Sequence, residues 1–138
     1  MQKASDTVTV VIVDATPLFG RGLTAVMEAQ GSIHVVGQAS NHEDAALMIN
    51  ELQPDVVLTV AQASLTACRK IAQSIRAAGF TGAIVVLDSF YTEDECFRAI
   101  EMGANGSLHK ESEHEEIVSA IIHASRDEDV VLLRCPSY

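Results

Sequence analysis

Asp14, Asp88 and Lys110 each close a short run of mostly aliphatic residues: VTVVIV before the first, AIVVL before the second and GSLH before the third. If those runs are strands of one sheet, two carboxylates and one ammonium gather at a common edge, where they can form a structural charge cluster. The run VVLTV, residues 56 to 60, breaks the pattern. Pro54 and Asp55 close a helix and open a strand there, and in open α/β sheets ligands and catalytic groups collect at the carboxyl ends of strands. Its last residue is Val60, which offers no acid, base or nucleophile. No nucleophile and base can be paired from the ends of these runs, so no catalytic residue is assigned and an enzyme is not expected.

Two other patterns invite a chemical reading. Gly20-Arg21-Gly22-Leu23-Thr24-Ala25 fits G-x-G-x-x-G/A, the dinucleotide fingerprint, whose first Gly must stand at the strand-to-helix turn. Here the first strand ends near Asp14 and a helix starts at Pro17, so both glycines fall inside the helix and read as small packing residues. Histidines 34, 42, 109, 114 and 123 form no HxxxH pair on one helix and read as solvated or partly packed imidazoles. Cys68, Cys96 and Cys135 stand far apart, with no CxxC and no Cys/His metal spacing, and read as reduced thiols. Neither a metal nor another cofactor is expected.

The elements that must position these residues alternate along the chain. Strands are predicted at 8–14, 33–39, 56–60, 83–88 and 106–110. Between and after them lie helices α1 at 17–30, α2 at 42–52, α3 at 64–79, α4 at 93–103 and α5 at 113–125. Pro17 suits a first helical turn after a Thr16 cap, and Gly31 and Gly79 serve as stops. Ser40-Asn41-His42-Glu43, Thr92-Glu93-Asp94-Glu95 and Ser112-Glu113-His114-Glu115 have capping-box spacing. Five β/α units in a row require right-handed crossovers and a parallel sheet, hence a doubly wound α/β sandwich.

Composition agrees and excludes several classes. A chain of 138 residues makes one domain. It is 48% hydrophobic with four Phe, two Tyr and no Trp, so its core must be aliphatic, as in covered parallel sheets. No apolar run approaches the roughly 18 to 20 residues of a membrane span, the amino terminus has no signal-peptide pattern, and a cytoplasmic location is expected. A formal charge of -10 repels phosphate backbones and anionic membranes. Neither direct nucleic-acid binding nor membrane binding is expected of this chain.

The pieces VIVDATPLFGRGL, VVGQASNHEDAALMI, QPDVVL, IVVLDS and RAIEMGANGSLHK, in this order and at these spacings, resemble the receiver domain of bacterial response regulators, most closely that of the NarL/LuxR class. The resemblance covers residues 8 to about 126 and implies a flavodoxin-like (CheY-like) three-layer sandwich with strand order 2-1-3-4-5. It also implies a phosphorylation site: an Asp at the end of the third strand, two acids after the first holding Mg²⁺, a hydroxyl residue after the fourth and a Lys after the fifth. The metal and the Lys neutralise the transferring phosphoryl oxygens. Asp14 and Lys110 match that pattern. Ala15 stands where the second acid belongs, Val60 at the phosphoacceptor, Asp88 at the hydroxyl and Ser107 at the common aromatic switch position. The sequence thus resembles a degenerate, aspartate-less pseudo-receiver. Asp88 does not replace the acceptor, because an acid in the place of a phosphate-contacting hydroxyl repels a phosphoryl donor.

Two functional readings follow. The leading one is an interaction module of two-component or phosphorelay signal transduction, acting through a protein partner or a homodimer and regulating transcription through an appended or partner domain. The alternative is a small-molecule sensor with a ligand at the vacated edge around Asp14, Val60, Ala61 and Asp88. In α5, Ile117, Ala120, Ile121 and Ala124 make one core-facing stripe. Val118 and Ile122 make a second, about 100° further round. That second stripe is either a wider internal contact or an exposed strip on the face of α4, the fifth strand and α5, through which receivers of this resemblance commonly pair, and the expectation is a symmetric homodimer or a partner complex that buries Val118 and Ile122. Residues 1–126 are expected to be the receiver-like domain, and 127–138, with RDEDVVLLRCPSY beginning at 126, a C-terminal extension or the start of a linker to an output domain.

Overall fold

The structure, a computed structural model, describes residues 7–60, 65–88, 104–109 and 112–126. The aliphatic runs become β1 (Val8–Val13), β2 (Ile33–Ala39), β3 (Val56–Val60), β4 (Ala83–Asp88) and β5 (Gly106–His109). They pair in parallel in the order β2-β1-β3-β4-β5, as expected. The helices are α1 (Pro17–Ala29), α2 (His42–Leu52), α3 (Leu65–Ala77) and α5 (His114–Ser125). The expected α4 lies outside the described residues.

Alternate side chains along each strand go to opposite faces, which divides the core in two. Val10, Ile12, Leu58, Val60, Val85 and Leu87 pack under Leu23 and Met27 of α1 and Ile117 and Ile121 of α5. Val11, Val13, Val57, Ile84 and Val86 pack under Ala45 and Ile49 of α2 and Ala72 and Ile75 of α3. β3, covered on both faces, is buried along its whole length, which explains why its sequence shows no polar alternation.

Each sheet end is tied by side chains. Thr9 donates from its backbone N–H and its hydroxyl to Asp55 Oδ2 at 2.9 and 3.1 Å, which joins β1 to the entry of β3. Arg76 of α3 donates to the carbonyls of Phe80 and Gly82 at 3.1 and 2.7 Å and to Asn105 Oδ1 at 3.0 Å. Its guanidinium lies 5.6 Å from the centre of the Phe80 ring, and burial lowers its pKa from the ordinary arginine value. At the opposite edge, β2 carries an extra residue where its register to β1 slips between Val35 and Gly37. There Glu28 Oε2 accepts the Val35 N–H at 2.9 Å and lies 3.3 Å from His34 Nδ1.

Two caps fall one residue later than expected. Asn41, not Ser40, caps α2 and accepts the Asp44 N–H at 2.8 Å. Glu113, not Ser112, caps α5 in a reciprocal box with Glu116. In each case the residue after the first capping candidate also has a side chain able to accept, and spacing alone does not separate the two. Thr16 is the cap residue of α1 but makes no side-chain cap bond.

Candidate functional site

Register lines up the carboxyl ends of the strands. Val60 of β3 stands beside Leu87, and the next residue of β4, Asp88, stands beside His109 of β5. Asp14 extends β1 by one residue, its N–H donating to the Ala39 carbonyl at 2.9 Å. The strand ends at 14, 60 and 88 therefore share one edge. β1 and β4 are two strand spacings apart, about 10 Å.

Asp14 is buried, 1% exposed, and its Oδ1 accepts the Thr16 N–H at 2.9 Å, so this carboxylate organises the entry to α1. Ala15 is exposed. Val60, at 5% exposure, belongs to the core beneath α1 and α5. Ser107 is buried at 2% exposure. Lys110 lies outside the described residues, as do Cys96, Cys135 and Ala61, and Asp88 is described in its backbone only. Of the expected cluster of Asp14, Asp88 and Lys110, the structure describes only that the backbones of Asp14 and Asp88 end on one edge.

Among the described side chains, the donor set for a Mg²⁺ ion is incomplete. The ion needs several oxygen ligands, most of them carboxylate or water held in octahedral geometry. Asp14 supplies one carboxylate, already accepting a backbone N–H, and neither Ala15 nor Val60 carries a side-chain oxygen. Among the described residues no three His, Cys, Asp or Glu side chains are grouped for a metal. Gly20 and Gly22 lie inside α1, as expected. His34, His42, His114 and His123 are exposed, whereas His109 departs from expectation at 5% exposure, because β5 points it into the interior.

The sequence reading missed Gln38 and Arg21. A side chain on Gly20 would collide with the amide of Gln38, and Asp14 Oδ2 is 3.5 Å from the same point, so the missing Cβ lets Gln38 lie over α1 close to Asp14. Arg21, Gln38, Ala39, Ser40 and Asp14 line an open depression of about 230 Å³ on the β1/β2 side of the edge. The one available signal was that Gln38 sits next to the end of β2, while Gly20 lies within α1 and carries no mark of this contact.

The stripes of α5 resolve in favour of internal contact. Ile117, Ala120, Ile121 and Ala124 are buried, and Val118 is buried with them at 7% exposure. Ile122 is half-buried against the same core. α5 lies across the sheet and touches α1 as well, so one stripe does not suffice to seat it. Val118 therefore has little surface left for a partner, which corrects the expected exposed strip at that residue. On α2, by contrast, Ala45, Met48, Ile49 and Leu52 recur at helical period, yet Leu52 is 41% exposed.

Sequence and structure comparisons agree with this architecture. The response regulator receiver domain model matches residues 10–122. The chain belongs to the response regulator receiver domain family. It is 33% identical over 125 residues to the transcriptional regulatory protein YxjL of Bacillus subtilis, covering 91% of this chain and 57% of that protein. It is likewise 33% identical over 127 residues to the transcriptional regulatory protein LiaR of the same organism, covering 86% and 56%. The chain thus spans somewhat more than half the length of these curated relatives. The signal receiver domain of the response regulator NarL from Mycobacterium tuberculosis superposes with a TM-score of 0.78 at 27% identity, over 88% of this chain and 98% of that one. This is a receiver of the NarL/LuxR kind, and none of the helices among its described residues is long and apolar enough to cross a membrane.

Proposed function

We propose that this receiver domain has lost aspartyl-phosphate chemistry and works by protein contact, as the input part of a transcription regulator. One observation carries the reading: the carboxyl end of β3 is Val60, a core side chain with no nucleophilic oxygen. The incomplete donor set for Mg²⁺ supports it, and so does Asp88 at the position of a phosphate-contacting hydroxyl. The relatives YxjL and LiaR are named as transcriptional regulators, and an acidic receiver would leave contact with DNA to another domain or partner. The expected location is the cytoplasm.

The test is incubation with acetyl phosphate and Mg²⁺ followed by intact mass measurement. The expected result is an unchanged mass for the wild type and a phosphoryl adduct for Ala15→Asp/Val60→Asp/Asp88→Thr, in which the acceptor, the second acid and the hydroxyl are restored. A wild-type adduct that disappears in Asp88→Asn overturns the reading.

A second reading, a small-molecule sensor, is favoured by the depression beside Asp14, whose lining offers a guanidinium, an amide, a hydroxyl and a carboxylate. Its site differs from the one expected, since Val60 is packed into the core and the open space lies toward β2. Thermal-shift screening of small polar metabolites, with Arg21→Ala as control, tests it. A hit that stabilises the variant equally argues against this site.

A further inference from the structure

The apolar surface that α5 does not provide is found on α2. Leu47 is 72% exposed and Leu52 41%, and with Val26 they are the large hydrophobic residues exposed among those described. Asp44, Leu47, Met48, Glu51 and Leu52 follow i, i+3, i+4, i+7, i+8, so they share one helix face, with Met48 at its inner margin packed against the core of Ala45 and Ile49. With Gln38, Ala39 and Ser40 they line an open groove of about 440 Å³ between α2 and β2.

Gly37 shapes the floor. A Cβ there would come within 2.5 Å of Met48 Sδ and 3.2 Å of Leu52 Cδ1, so the glycine lets both side chains lie down on the strand. The groove thus has an apolar centre, Leu47, Met48 and Leu52, and acids at its margin, Asp44 and Glu51.

We propose that this groove docks an amphipathic helix of another protein, one whose apolar anchors are flanked by Lys or Arg. Charge complementarity selects that occupant. Asp44 and Glu51 border the groove on a chain of net charge -10, a field that draws in cationic segments and slows anionic ones. A second copy of this chain is disfavoured, because a two-fold contact through the groove would set the same acids against each other. An apolar helix face laid in a hydrophobic groove, with its cations against marginal acids, is an established mode of helix recognition. The proposal rests on the reading of the domain as a protein-contact module and names the surface and the kind of partner.

The test uses the intact chain and a synthetic helix of Leu and Lys in amphipathic order, with a Leu/Glu helix of the same pattern as control. Amide chemical shifts locate binding, and fluorescence anisotropy measures it. The expected outcome is that the Leu/Lys helix binds, the Leu/Glu helix does not, and shifts concentrate at Gln38, Ala39, Ser40, Leu47, Met48 and Leu52. Leu47→Gln, neutral and at an exposed position, should weaken binding about tenfold, the worth of one buried Leu side chain. Unchanged affinity in Leu47→Gln, with shifts scattered over the acidic surface, means non-specific charge attraction and overturns the proposal. Shifts confined to α5 and β5 overturn the groove and leave the contact-module reading standing. Concentration-dependent dimers of the chain alone that disappear in Leu47→Gln make the occupant a second copy and also overturn it.

Discussion

At the scale of single residues, the third strand ends on two buried side chains, Thr59 and Val60. Val60 fills the core, and Thr59, one position earlier, is fully buried with its hydroxyl finding no hydrogen-bond partner among the described residues. Burying an unpaired hydroxyl costs about 1–3 kcal/mol, and valine has nearly the same shape without that cost. Thr59→Val should therefore stabilise the fold by about 1 kcal/mol, read as a raised urea midpoint at unchanged slope. A loss of stability would mean that the hydroxyl is paired. Asn105 shows the opposite economy: its Oδ1 accepts both from Arg76 and from the Ile84 N–H at 2.9 Å, so a single amide replaces a missing strand partner.

At the scale of elements, the weak point is the exit from α2. Gln53 caps that helix with φ at +47°, the left-handed region that glycine occupies without strain, and Pro54 follows it. Gln53→Gly should raise stability by about 1 kcal/mol despite the greater freedom of the unfolded chain, because the relieved strain is about 1–2 kcal/mol. A lowered melting temperature would show that the Gln53 side-chain bond to the Asn50 carbonyl, at 3.0 Å, matters more than the strain. The strand and helix order was legible because aliphatic runs and capping signals alternate without interruption, and the 2-1-3-4-5 order came with the family resemblance. Val60 and Asp14 were legible for the same reason, each closing a run. What the sequence did not reveal depends on contacts across the chain. Leu52 has the period of a core residue yet lies at the end of its helix beside Gly37, where the groove opens. Val118 looked surplus to one stripe until α1 and the sheet were seen to cover both. Gln38 becomes part of the edge only because Gly20, eighteen residues earlier, leaves it room.

At the scale of the whole molecule, charge sets the terms of association. The receivers this chain resembles commonly pair through α4, β5 and α5, and of Val118 and Ile122 it is Ile122, half-buried, that retains accessible surface. A homodimer through it brings together two chains of net charge -10, so its association should strengthen as salt screens that repulsion. Binding of a cationic helix should weaken with salt. Sedimentation at low and high ionic strength distinguishes them, and Ile122→Glu should shift any dimer toward monomer while leaving the fold intact. A wild type that remains monomeric at high micromolar concentration at both salt levels would remove the dimer from consideration. The outer strand bears on a different fate. A free strand edge is a template on which other chains can extend the sheet, and β2 is such an edge, rich in valine. The slipped register around Val36 and the Glu28 carboxylate seated on the Val35 amide interrupt that template at its middle. Glu28→Ala exposes the amide without touching the core, so under gentle agitation the variant should nucleate thioflavin-binding fibrils sooner than the wild type, although the two unfold at nearly the same urea concentration. Equal lag times would show that the bend alone keeps the edge from templating. On the expected outcome, persistence in solution and resistance to unfolding are separate properties, and the Glu28 carboxylate bears on the first alone.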